Sequence, residues 1–159
     1  MSTTTDLETP ALDAWVRLLR GLAALVRDLN ARLIREHDLT INDYEALLLL
    51  ANAQDRRLRR TDLSQSLQLT PSGVTRLLDG LEDAGLVCKA SCASDARVTY
   101  AVLTEPGRAK LQTASCSHVA AIEELFGTHF TREEVESLAQ LLGRLPGAGG
   151  GPNCRAPAA

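Results

Sequence analysis

Between residues 61 and 103 the spacing of apolar residues changes period once, and that change limits the folds open to the chain. Val74, Leu77, Leu78 and Leu81 recur every three or four positions, the apolar side of a helix over 71–84. From Val98 the pattern alternates, with Val98, Tyr100 and Val102 set against Thr99, Ala101 and Leu103, which is the period of a strand. Punctuation marks each boundary. A short helix over 61–67 ends at Leu69-Thr70-Pro71, where Thr70 suits a helix cap and Pro71 the first helical position. Gly85 suits a left-handed helix end. Val87–Lys89 and Val98–Leu103 then read as two strands, with Ala90–Arg97, small and polar, as the hairpin tip.

The rest of the chain reads as helix. Leucine appears 28 times against 11 valines and isoleucines together, a balance that favours helices over a sandwich or barrel. Ala11 to Glu36 is one long amphipathic pattern carried by Leu12, Trp15, Leu19, Leu22, Val26, Leu29 and Leu33. It is longer than a small domain needs, and its wide apolar stripe predicts a partner helix, with a second subunit favoured. Thr40-x-x-Asp43 opens a helix whose Tyr44–Ala53 stretch is apolar almost all round, the expected buried centre. Gln54–Arg60 reads as a polar, basic connector. Thr104 restarts a helix to about Phe126, and the capping box Thr131-x-x-Glu134 opens a last one to about Leu145. Residues 1–9 and 146–159 read as disordered ends around one domain over 10–145. No apolar run reaches the roughly 18 residues that span a bilayer, and the polar N-terminus lacks a signal's apolar region. A cytoplasmic protein with reduced cysteines and no membrane partner is therefore expected.

The expected fold class is mainly α with a small two-stranded β-wing: a winged helix-turn-helix domain plus a helical dimerisation region. Helices at about 11–36 and 105–145 flank a DNA-binding lobe at about 40–104. Charge follows this division. The net charge is −3, yet residues 56–110 carry 9 basic and 6 acidic groups, while 1–55 carry 5 and 9. A basic middle between acidic ends suits a chain whose middle faces phosphate. With its apolar face turned inward, helix 71–84 presents Ser72, Gly73, Thr75 and Arg76 outward, with the Thr70 cap beside them. Helix-turn-helix geometry puts such N-terminal residues at the major groove, where Arg76 can fork onto guanine and Thr75 can bond a base or touch a thymine methyl. Arg97 at the hairpin tip suits a narrow minor groove. Asp95 is expected to pair with an arginine and orient that tip. Arg57, Arg59 and Arg60 are placed on the flanking backbone. A winged-helix protein-interaction module without DNA activity is the alternative. No Gly-rich phosphate loop, metal motif or nucleophile–base pair points to an enzyme or a cofactor.

Residues 11–145 resemble the MarR family of winged helix-turn-helix regulators. The resemblance is carried by Asp62-Leu63-Ser64, by Pro71-Ser72-Gly73-Val74-Thr75-Arg76-Leu77-Leu78, and by Leu81-Glu82-Asp83-Ala84-Gly85-Leu86-Val87. The wing signature Ser94-Asp95-Ala96-Arg97 and the closing Leu103-Thr104-Glu105-Pro106-Gly107 follow at the family's spacing. It implies a homodimer built from the first and last helices, a double-stranded DNA site of two inverted half-sites, and repression relieved by a ligand or oxidant. Lys89 stands where the family usually has arginine, keeping the charge but losing the planar fork; it is counted with the DNA-binding residues.

The resemblance also implies an aromatic or phenolic ligand between the dimerisation helices and the DNA-binding lobe, with Trp15, His37 and Tyr44 as candidates by position. His37 and His118 fall roughly where some family members bind zinc, but the paired histidines are missing, so no metal site is expected. Cys88 and Cys92 inside the wing are candidates for oxidant sensing. Four residues apart in one extended strand, they would sit about 13 Å from each other, too far for a disulfide without a bend.

Overall fold

The computed structural model describes residues 9–95 and 97–148. The chain runs α1 (Pro10–His37), α2 (Ile41–Asn52), a 3-10 turn (Gln54–Arg56), β1 (Arg57–Arg59), α3 (Arg60–Ser66), α4 (Pro71–Asp83), β2 (Val87–Ser91), β3 (Thr99–Leu103), α5 (Glu105–His129) and α6 (Arg132–Leu142). Most of the ends assigned to disorder, 1–8 and 149–159, lie outside the described residues. No described helix is long and apolar enough to cross a membrane.

Local chemistry sets the helix boundaries. Thr9 caps α1 by accepting from the Leu12 amide at 3.2 Å. The helix ends where Asp38 turns left-handed (φ 55°) and returns its N–H to the Ile34 carbonyl at 2.9 Å. Thr40 and Asp43 form a complete capping box on α2, which satisfies two otherwise orphaned amides. Asn30 Oδ1 accepts from the Ile41 amide at 2.9 Å and fixes α2 against α1. In the turn between α3 and α4, Gln68 takes φ 52°. The Ser64 hydroxyl braces that turn by donating to the Leu69 carbonyl at 2.7 Å.

The core gathers on α2, where Tyr44, Ala46, Leu47, Leu48 and Leu50 are all buried. Leu33 of α1, Leu63 of α3, Val74, Leu78 and Leu81 of α4, Ala101 and Leu103 of β3, and Leu111 of α5 close around it. Burying each such leucine stabilises the fold by roughly 1.5–3 kcal/mol. Gly107 lets α5 start flush against the hairpin root, since a Cβ there would overlap the Leu86 carbonyl oxygen. Thr104 completes that junction, its hydroxyl donating to the Gly85 carbonyl at 2.7 Å.

The sheet has three strands rather than two. Its order is β1-β3-β2, all antiparallel. The extra strand, Arg57–Arg59, lies inside the stretch read from sequence as a connector. Three residues of Arg-Leu-Arg carry no strand signal of their own; pairing with Tyr100, Ala101 and Val102 makes them a strand. Alternation then sorts the sheet into two faces. Leu58, Val87, Ala101 and Leu103 face the core. Arg57, Arg59, Cys88, Tyr100 and Val102 share the other face.

A polar node sits where α1, α2 and α5 meet. The Tyr44 hydroxyl lies 3.1 Å from Ser115 Oγ, and its ring centroid is 4.7 Å from that of His118. His118 is 7% exposed, and burial holds its imidazole pKa below the ordinary value. Unfolding frees it to take up a proton. Stability is therefore full above the free-imidazole pKa of about 6.5 and is lost as pH falls from there through the lower pKa of the folded state. Thermal unfolding between pH 7.5 and 5 is expected to show a smaller decline in Tm for His118→Gln than for the wild type, whatever its absolute stability. Equal declines would remove His118 from the pH dependence.

Candidate nucleic-acid interface

Helix α4 is seated by its apolar side. Val74, Leu78 and Leu81 are buried, while Ser72 and Arg76 are exposed. Thr70 accepts from the Gly73 amide at 3.1 Å, so the first turn is capped by the chain itself. Gly73 is tight against that cap, since an added Cβ would stand 3.2 Å from Thr70 Oγ1. Arg76 projects from the exposed side, and Asp79, one turn on, is held by Lys89.

Thr75 is less available than its position suggests. Its hydroxyl donates to the Pro71 carbonyl at 2.8 Å and accepts from the Arg60 guanidinium. The donor proton and one of the two acceptor lone pairs of that oxygen are engaged, so it offers less to a base than a free hydroxyl would. Arg60 correspondingly ties the first turn of α3 to α4 and is half-buried, instead of reaching freely to a flank. Arg57 and Arg59 do stand exposed on β1. The Arg57 guanidinium lies 5.1 Å from the Tyr100 ring centroid and 3.7 Å from Asp55.

The hairpin is anchored at its root and projects at its tip. Lys89 Nζ lies 2.8 Å from Asp79 and 2.8 Å from Glu82, both on α4. Its backbone amide also donates to Glu82 at 3.3 Å. These carboxylates raise the Lys89 pKa and hold the ammonium against α4, so Lys89 acts as a strut between hairpin and helix. At the tip, Asp95 Oδ1 accepts from the Arg97 amide at 3.0 Å, and the Asp95–Arg97 side-chain pair is loose at 3.8 Å. The Arg97 side chain is 96% exposed. A surface pair of this kind contributes little, and the guanidinium remains available to a stronger anion.

A cavity of about 570 Å3 opens between α3, α4 and the hairpin, with Arg59, Arg60, Ser64, Pro71 and Arg97 in its lining. Cys88 is exposed on β2. Cys92, partly exposed beyond it, lies 3.1 Å from Ser94 Oγ. The Ser94 hydroxyl, then the Ser94 and Asp95 amides, hold the Cys92 thiol pKa below its ordinary value. Among the described residues no three His, Cys, Asp or Glu side chains group as metal ligands.

The three ligand candidates do not come together within one chain. Trp15 and His37 sit toward opposite ends of α1, about 33 Å apart at 1.5 Å per residue. Trp15 is 56% exposed, whereas Tyr44 is 2% exposed in the core. His37 lies 2.5 Å from Ser117 Oγ on α5, close to the polar node. Sequence reasoning missed Tyr100, Asp79 and Glu82. The strand alternation already set Tyr100 on the face opposite Ala101, but the strand carrying its arginine neighbours was not visible. Asp79 and Glu82, three apart on α4, share a side that only the folded hairpin meets.

Comparison with known proteins agrees with this geometry. Residues 37–98 match the MarR family. The chain is 28% identical over 135 residues to the HTH-type transcriptional regulator MhqR of Bacillus subtilis, covering 85% of this chain and 90% of that protein. Among solved structures it is similar to Sco3205, a MarR family transcriptional regulator from Streptomyces coelicolor in complex with DNA. There the TM-score is 0.77 and the identity 26%, over 97% of this chain and all of that one. CouR from Rhodococcus jostii RHA1, bound to p-coumaroyl-CoA, matches with a TM-score of 0.68 and 25% identity, over 86% and 93% of the two chains. With α4 seated on its apolar side and the hairpin strutted against it, residues 37–98 carry the MarR family match, and the whole fold is similar to that of MarR family winged-helix transcriptional regulators.

Proposed function

We propose that this protein is a repressor that binds an inverted-repeat operator as a homodimer and is released by a small aromatic or phenolic ligand. The observation that carries the DNA reading is the shared exposure of Ser72, Arg76 and Arg97 while the opposite side of α4 is buried. Arg76 reads a base edge in the major groove, and Arg97 reaches the neighbouring minor groove. Arg57 and Arg59 meet the flanking backbone. The basic face and the projecting Arg97 favour this over a protein-interaction module.

The dimer reading is supported by α1. Leu12, Trp15, Leu19, Leu22 and Val26 are exposed in the single chain, as are Leu141 and Leu145 near the other end of the sequence. An apolar stripe of this kind along one face of α1 marks an interaction site. A two-fold mate covering it sets two α4 helices about one helical turn, roughly 10 bp, apart. Ligand release is supported by the likeness to CouR, a family member bound to an aromatic acyl thioester. Such a ligand acts by favouring the conformation that does not fit DNA, and about 1.4 kcal/mol of preference changes DNA affinity tenfold.

Titration of the region upstream of its own gene, at several salt concentrations, tests the reading. Arg76→Ala is expected to cost about 1–3 kcal/mol and to relax base preference at one position of each half-site. Arg97→Ala is expected to weaken binding and to flatten its dependence on salt. Wild-type preference in the first variant, or wild-type slope in the second, removes that residue from the interface.

The lowered thiol pKa of Cys92 favours a second input, since the thiolate is the reactive form. In oxidation by peroxide the thiolate sulfur attacks one peroxide oxygen, the O–O bond breaks, and a sulfenic acid and hydroxide result; this distorts the wing and releases DNA. In a gel shift, peroxide then releases wild-type protein but not the Cys88→Ser, Cys92→Ser double variant. Identical responses would exclude the wing thiols as the sensor.

A further inference from the structure

We propose that Tyr100 is a positioning residue for DNA binding, holding the Arg57 and Arg59 guanidinium groups together on the outer face of the sheet where they meet backbone phosphates. The inference rests on the reading of the β1 arginines as phosphate contacts and names the group that organises them. The strand register puts Arg59 directly opposite Tyr100, and Arg57 one step along, opposite Val102. Direct and diagonal cross-strand neighbours are both within reach of a long side chain. The Arg57 guanidinium carbon stands 5.1 Å from the Tyr100 ring centroid, inside the range of a cation–π contact. Arg59, directly opposite in the register, has its pKa raised first by the Tyr100 hydroxyl. One aromatic side chain therefore stands between two cations, with Arg57 at its face and Arg59 beside it.

The neutrality of this partner is what suits the task. Lys89 is held by two carboxylates, and its charge is cancelled in the act. Tyr100 orders its arginines without taking their charge away. Asp55 sits beyond Arg57 at 3.7 Å with both side chains well exposed, a pair weak enough for phosphate to displace. Arginine side chains ordered before binding lose less rotamer freedom when a phosphate arrives.

Because phosphate contacts do not depend on sequence, the test uses a random-sequence duplex of about 30 bp, with affinity measured by fluorescence anisotropy over a range of salt. Each phosphate neutralised contributes about 0.9 to the slope of log affinity against log salt. The Arg57→Ala, Arg59→Ala double variant is expected to lower the slope by about 1.8. Tyr100→Leu is expected to lower it by about half that or more, and Tyr100→Phe, which keeps the ring but not the hydroxyl, to fall between Leu and wild type. In the double-arginine background Tyr100→Leu should change nothing further, whereas general loosening of the sheet would weaken binding there too. A wild-type slope for Tyr100→Leu, with the arginine variant reduced, overturns the role of Tyr100 and leaves the arginine contacts standing. A wild-type slope for the arginine variant overturns both. If Tyr100→Leu fails to fold by circular dichroism, Tyr100→Phe decides alone: a reduced slope supports the role and an unchanged one overturns it.

Discussion

Helix α4 can face only one way, and everything proposed for the DNA side follows from that constraint. Its 13 residues place Val74, Leu78 and Leu81 against a core built around α2. A rotation by one residue, about 100°, would bring the Arg76 guanidinium toward apolar surroundings and leave a leucine in water. The burial of three side chains therefore fixes the direction of Arg76 without any contact to Arg76 itself. The turn before α4 contributes the rest of the aim, through the Thr70 cap on Gly73 and the Ser64 brace on Leu69.

The cations of the DNA-binding lobe fall into groups distinguished by their partners. Lys89 is spent on architecture, joining β2 to α4 through Asp79 and Glu82. Arg56 is likewise tied to Glu105 at 2.5 Å, linking the turn before β1 to the start of α5. Arg60 holds the Thr75 hydroxyl. Arg57 and Arg59 lie around Tyr100, and Arg97 stands almost wholly in solvent. The basic count of residues 56–110 thus overstates the charge offered to phosphate. The useful quantity is the subset of arginines with neutral or weakly held partners.

Much of the fold was legible because its boundaries are chemical and local. Thr40 with Asp43, Thr70 with Pro71, and Thr131 with Glu134 mark helix starts in sequence and do so in the structure. What stayed hidden is tertiary. Strand β1 exists because β3 lies beside it. The position of Thr75 on the helix was legible, while the guanidinium that engages its hydroxyl comes from Arg60, 15 residues earlier. Trp15, His37 and Tyr44 do not meet within one chain, because α1 is 28 residues long and a straight helix of that length keeps its ends apart.

The central claim is that α4 and the hairpin form one reading head, with Arg76 directed to the major groove and Arg97 to the minor groove of the same half-site. Methylation interference on the bound upstream fragment tests both at once, since dimethyl sulfate modifies guanine N7 in the major groove and adenine N3 in the minor groove. The account predicts that methylated guanines near the centre of each half-site, and methylated adenines on its flank, both block binding. Interference from one class alone, or from both classes intermixed at the same positions, would contradict it.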